Sequence, residues 1–306
     1  MYEMYDQFGP TSRICFDYVN DPHARKRHND KRNKALESLS SVTLHQMVDN
    51  SRLLSMDDLS HTLILVKRMS KEMKILSPED DYTNIALAVN PRVELVSPAI
   101  EDKVRVRLWE QSRAERLQLY RQLASVASTR CIAGLAFEAL AHYILQRRIN
   151  IDLVPMVKKE SPESGEGKNM PRWQSNRGGS GGGTPCDITP LKTKVYEGSS
   201  LDQIEDGWYY VPQSKNQVAF DSFIMANGNL YIFQCSIGED HPIKEGILDF
   251  FSQEYLPPQT NWYFIFVIPS DGSGIKCPQP RKIVLKNLFA QMKLYTMTLD
   301  VSGDAT

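Results

Sequence analysis

The residues of this chain best suited to chemistry lie in VAFDSFIMANGNLYIFQCSIGEDHPIKEGILDFF (218–251). Val218 to Met225 reads as a strand, Ala226-Asn227-Gly228-Asn229 as a tight turn, and Leu230 to Ile237 as the returning strand. Asn-Gly readily takes the positive φ angles that a two-residue hairpin loop demands. Strict alternation then puts Asp221, Phe223 and Met225 on one face and Phe220, Ser222 and Ile224 on the other. On the returning strand Gln234 and Ser236 share a face, opposite Phe233, Cys235 and Ile237. The hairpin therefore brings Asp221 beside Gln234 and Ser236. A carboxylate in an otherwise apolar strand is costly unless it is paired or holds a cation, so ion pairing and cation binding are the two roles open to Asp221.

Other elements must hold this hairpin. TRCIAGLAFEALAHYILQRR (129–148) reads as a helix that is apolar nearly all round, hence buried on most sides; it carries Glu138. Strand-like runs follow: INIDLVPMV, ITPLKTKVY, GWYYVP, VAFDSFIM, NLYIFQCSI, NWYFIFVIP and RKIVLKNLF, with a helical HPIKEGILDFFSQEYL between the fifth and sixth. The pattern predicts a sheet with flanking helices, an α/β or α+β arrangement. Residues 1–128 read as mainly helical. RKRHNDKRNK (25–34) carries six Lys/Arg and leads into an approximate stripe of Leu36, Leu39, Val42 and Leu44. SHTLILVKRM (60–69) and ALAVN (86–90) read as strands. Pro98 opens a long helix with Ile100, Val104, Leu108, Leu117, Tyr120 and Ala124 on one side. The stretch 158–187 is polar and rich in Gly and Ser, so it is expected to be a disordered loop. Its GGSGGG (178–183) reads equally as a natural low-complexity segment or an engineered linker.

Bulk properties narrow the classes. The 306 residues suffice for one large domain or two ordinary ones. A net charge of −1 means that any nucleic-acid contact must come from a local patch. Cys15, Cys131, Cys186, Cys235 and Cys277 are scattered and odd in number, a poor disulfide or zinc framework that fits a reducing compartment. No run of 18 apolar residues occurs, so no membrane span is expected. The start, MYEMYDQFGPTSR, has no apolar signal region, and the sequence is open to being a piece of a longer protein. No GxxxxGK[ST] occurs, which argues against ATP hydrolysis by these residues.

The spacing Asp221-x12-Gln234-x-Ser236 resembles the D-x(n)-(D/E/Q)-x-K hairpin of PD-(D/E)XK nucleases. More closely, FDSF…LYIFQCS…HPIK is similar to the restriction-endonuclease-like C-terminal domains of fungal Crinkler and retrotransposon hot-spot proteins. The opening YDQFGPTSRICFDY is similar to the region after the NTPase module of that family, near its helical lid. The resemblance implies an α/β restriction-endonuclease-like mixed sheet flanked by helices over 129–306, preceded by a lid-like region over 1–128. It implies Glu138, Asp221 and Gln234 as ligands of Mg²⁺ or Mn²⁺, and in-line attack of metal-bound water on a phosphodiester. The lysine of the motif, which positions or activates that water, is replaced by Ser236; Lys244 on the next helix is the expected substitute and Lys215 a weaker one. The implied partner is DNA or a host protein, in the nucleus or cytoplasm, with the chain acting as an effector that reaches host nuclei. A catalytically inactive nuclease fold that binds DNA or a protein is the alternative, and a helical regulatory module in 1–128 a third. The sequence leaves oligomeric state open.

Each residue also has a plain reading. Asp221 can end a salt bridge in the sheet, and Glu138 can pair with Arg130 or with His142 one turn on. Gln234 in an apolar strand needs a hydrogen-bond partner in any case. His241 before a proline suits capping or packing, and Lys244 a solvated helix. Cys235, facing away from Gln234, reads as core. Trp208, Tyr209 and Tyr210 suit strand packing better than base stacking. The basic run 25–34 reads as a solvated helix start, a nuclear-import signal or a phosphate-binding patch.

Overall fold

The computed structural model describes residues 20–37, 63–68, 91–147, 149–159, 172–175, 184–188, 192–197, 201, 203–213, 219–244, 246–251, 256, 260–278 and 290–302. The chain divides into two compact units, Met1–Ala136 and Phe137–Thr306. The division falls inside a helix rather than at residue 128.

In the first unit, α1 (Pro22–Glu37) is followed by an antiparallel pair, β1 (Ile64–Arg68) and β2 (Pro91–Leu95). The expected strand at 86–90, the apolar stripe beyond Leu36 and Cys15 lie outside the described residues. The long helix expected from Pro98 to Ala124 is two helices, α2 (Pro98–Glu110) and α3 (Arg113–Ala124). Its break has a local cause. Ser112 Oγ accepts the Glu115 N–H at 3.3 Å, and the Glu115 carboxylate accepts the Ser112 N–H at 2.7 Å. This reciprocal capping box starts a new helix and satisfies donors that a continuous helix would have bonded internally. Ser97 caps α2 from one side only, its Oγ accepting the Ile100 N–H at 3.3 Å, with Pro98 in the first turn.

α4 (Arg130–Leu145) spans the division. As its composition predicts, most of its side chains are buried.

The second unit is an α/β body built on an eight-stranded mixed sheet. Its strands are β3 (Ile149–Pro155), β6 (Thr184–Ile188), β7 (Lys192–Tyr196), β8 (Trp208–Pro212), β9 (Ser222–Ala226), β10 (Asn229–Cys235), β11 (Asn261–Pro269) and β13 (Lys293–Leu299), in the spatial order β6-β3-β13-β11-β10-β9-β8-β7. β8, β9 and β10 form an antiparallel meander. β10, β11 and β13 run parallel to one another, and α5 (Gly246–Phe250) lies in the connection between β10 and β11. A small second sheet joins β4 (Val157–Lys159), β5 (Arg172–Gln174) and β12 (Lys276–Pro278).

The polar stretch 158–187 is therefore not without structure. Trp173 on β5 pairs with Cys277 about a hundred residues on, and its ring packs on the main core. That partner satisfies backbone groups which local composition leaves open. The expected strand RKIVLKNLF lies outside the described residues, and β13, just after it, was not anticipated.

Two layers of packing fix the hairpin. Phe220, Phe223, Phe250 and Phe251 meet edge to face at 4.8–5.9 Å, bringing α5 onto one face of the sheet. Tyr210 stacks on Phe223 at 4.6 Å on this same face. Each buried Phe is worth about 1.5–3 kcal/mol, enough for four of them to set which side of β9 faces the core. Tyr209, one residue from Tyr210, points the opposite way, to α4.

Candidate functional site

The β9–β10 turn forms as its residues require. Asn227 and Gly228 take φ of 52° and 73°, and Asn229 pairs with Ala226, the geometry of a two-residue loop whose twist matches its strands.

At the other end of β9 the ladder is irregular. Ser222 pairs with Phe233, yet the Asp221 N–H also donates to the Phe233 carbonyl at 2.9 Å. Two residues thus oppose one, a β-bulge. This corrects the simple alternation: Phe220 shares the α5 face with Phe223, while Ser222 faces the opposite side, toward Tyr209. The bulge takes Asp221 out of the row of Phe223 and Met225.

Asp221 and Gln234 are brought together. Asp221 Oδ2 accepts Gln234 Nε2–H at 2.8 Å and the Cys235 N–H at 2.6 Å. Ser236, in the position of the motif lysine, has its Oγ turned onto its own loop, accepting the Gly238 N–H at 3.2 Å.

Glu138 lies on the α4 face. It is 8% exposed, and its carboxylate stands 3.5 Å from Nε2 of His142, which is 2% exposed. Of the two partners expected for Glu138, His142 is the one it meets at this distance. His142 Nδ1 is 2.6 Å from the Tyr209 hydroxyl, which donates to Ser222 Oγ at 2.9 Å. With the tyrosine donating to Ser222, its lone pair receives Nδ1–H, which leaves Nε2 turned to Glu138. A buried polar chain, His142–Tyr209–Ser222, thus ends one residue from Asp221, with the Glu138 carboxylate 3.5 Å from His142 Nε2 as a close contact rather than a hydrogen bond. Burial raises the Tyr209 pKa well above the usual phenol range; the Ser222 contact opposes this, and the charges of Cys235 and Asp221 add to it. Asp221 is therefore within electrostatic reach of the chain.

Other candidates fall elsewhere. Lys244 is exposed and sits in the segment before α5, not on the helix, where its carbonyl accepts the Ile247 N–H at 3.4 Å. Lys215 lies outside the described residues. His241 does not cap a helix. Its N–H bonds the Lys276 carbonyl, its ring lies 6.0 Å from Phe266, and its Nδ1 is buried with no hydrogen-bond partner among the described residues. Burial, and secondarily Lys244, holds the His241 pKa below the usual imidazole range. Tyr209 and Tyr210 are fully buried and pack as strand residues.

Among the described residues, no three His, Cys, Asp or Glu side chains gather where they would hold a metal. A hard divalent cation takes several oxygen ligands. Here Asp221 meets Gln234 through the amide nitrogen, and Glu138 is drawn to His142. As arranged, these residues do not fit a Mg²⁺ or Mn²⁺ site. What they form is a braced acidic hairpin beside a buried polar chain. Sequence reasoning read Glu138–His142 from its i,i+4 spacing but missed Tyr209 and Ser222, whose only signal was a hydroxyl in each of two apolar strands.

Comparison with protein-family models, with curated proteins and with solved structures finds no match for this chain.

Proposed function

We propose that residues 137–306 are a restriction-endonuclease-like domain that engages nucleic acid, DNA by the family resemblance, without cutting it. One observation carries the reading. Asp221 Oδ2, one of the two oxygens of the hairpin carboxylate, accepts two N–H groups of its own hairpin at 2.6 and 2.8 Å. These lengths are those of charge-assisted hydrogen bonds, so the carboxylate serves to lock β9 onto β10. The lysine that would activate water is Ser236, and Lys244 is solvated. The helix–meander–helix–parallel strand order around the hairpin supports the nuclease-like fold, and the implied effector role in the nucleus or cytoplasm goes with it.

A second reading, metal-dependent hydrolysis, is favoured by the Asp221–Gln234 contact itself, the acid–amide pair the motif calls for. Carboxylates that bind metals are commonly hydrogen-bonded by their neighbours.

Nicking of supercoiled plasmid in Mg²⁺ or Mn²⁺, run with DNA binding in chelator, separates the two. The expected result is binding that survives chelation and no nicking by the native chain, Asp221→Ala or Lys244→Ala. Metal-dependent nicking that disappears in Asp221→Ala transfers the conclusion to the second reading. A native chain that binds no DNA with or without metal refutes both.

A further inference from the structure

In unit Met1–Ala136, α1 concentrates charge. It carries Arg25, Lys26, Arg27, Lys31, Arg32 and Lys34 against Asp30 and Glu37, in a chain whose net charge is −1. Helical geometry sorts these groups. At 100° per residue, Lys26, Arg27, Lys31 and Lys34 fall within about 140° of arc that also holds Asp30 and Glu37, and all six are exposed, so this arc carries four cations against two acids. Arg32, Ala35 and Leu36, on the opposite side, are buried. The helix is anchored by one side and presents a net-cationic face on the other. α2 enlarges the patch: the exposed Lys103 donates from Nζ to Asn33 Oδ1 at 2.9 Å, next to Lys34.

The field is strong enough to act on neighbours. Burial, then the charges of Arg32 and Lys31, lowers the His28 pKa, and burial followed by Arg32 lowers that of Lys103. A polyanion relieves such crowding and gains by releasing counterions.

We propose that this face of α1, extended by Lys103, is a docking surface for the phosphodiester backbone of nucleic acid. Lys and Arg contacts of this kind position a duplex without reading its sequence. A receptor that reads the run as a linear peptide would need Arg32, 6% exposed, drawn out of the fold. An anionic bilayer is a poor fit, because the exposed side of α1 is charged and polar with no apolar row to insert. The inference shares with the preceding reading only its polyanion, and its test does not involve Asp221.

The test is fluorescence anisotropy of a short random-sequence DNA duplex with the full chain, across a fourfold rise in salt. Native protein is compared with the variant carrying Lys26→Gln, Arg27→Gln, Lys31→Gln and Lys34→Gln. Each phosphate contact contributes a slope of about −0.9 in log affinity against log salt, so removing four should flatten the slope by about 3.6. Across that rise the native chain should lose about 150-fold more affinity than the variant. Lys103→Gln alone should flatten the slope by about 0.9. Equal slopes for native and variants, or no native binding at low salt, overturn the proposal. So does loss of nuclear accumulation in the variant with unchanged DNA slopes, which assigns the patch to an import receptor. A native chain that nicks plasmid yet shows the expected slope change refutes only the preceding reading.

Discussion

Removing one oxygen atom tests the buried polar chain. Tyr209→Phe keeps the ring in its fully buried place but takes the hydroxyl from between His142 Nδ1 at 2.6 Å and Ser222 Oγ at 2.9 Å. Both partners are themselves buried, so water does not replace the lost contacts. A buried group left without its partner costs about 1–3 kcal/mol, and two of them give about 2–6 kcal/mol. Ser222→Ala strands only the tyrosine hydroxyl and should cost about 1–2 kcal/mol. The two substitutions share an interaction, so the double variant should lose less than the sum of the singles, by about 1 kcal/mol. Urea unfolding followed by circular dichroism reads the effect: with a slope of about 2 kcal/mol per molar, the Tyr209→Phe midpoint falls by about 1–3 M. Because burial holds the tyrosine neutral beyond its usual range, the loss should be the same at neutral pH and at mildly alkaline pH. A cost below about 0.5 kcal/mol, the scale of an ordinary surface substitution, or strict additivity in the double variant, refutes the chain as a structural unit.

Two glycines should respond with opposite signs to the same change. Gly228 has φ +73° and Gly134 lies within α4, and an added Cβ meets nothing within 4 Å at either. Gly228→Ala should therefore destabilise by about 1–2 kcal/mol through backbone strain alone, and Gly134→Ala should stabilise by about 0.5–1 kcal/mol through helix propensity; thermal midpoints moving in the same direction would contradict this. His241 gives a pH effect. Its pKa is lower folded than its ordinary 6.5, so the unfolded chain binds protons first, and its stabilising contribution is full above that value and declines as pH falls below it. His241→Asn should flatten the fall in unfolding free energy between neutral and mildly acidic pH; an unchanged slope would show that other groups carry it.

Much of the hairpin was legible. Asn227-Gly228 announced its turn, the acid and amide met as their spacing required, and the apolar girth of α4 foretold its burial. What escaped the sequence has physical reasons. A count of period two cannot reveal an extra residue in a strand, so the bulge at Asp221 and Ser222 was invisible. Tyr209 looks like any strand aromatic until a histidine 67 residues earlier is placed on its hydroxyl. β5 sits in a polar stretch because its pairing partner is remote in sequence. The break between α2 and α3, by contrast, was written as Ser112-x-x-Glu115 and is a signal that periodicity overrode.

The extra residue in β9 has a consequence for how this strand tolerates change. Its two sides answer to different neighbours: Phe220 and Phe223 to the aromatic cluster, Ser222 to the tyrosine and histidine. Deleting one residue at 221 would restore even spacing and force a choice, with either the phenylalanine or the serine rotated into the wrong environment. Substitution at 221 keeps the count and leaves both environments in step. Chain length here is thus the tighter constraint, and side-chain identity at 221 the freer variable.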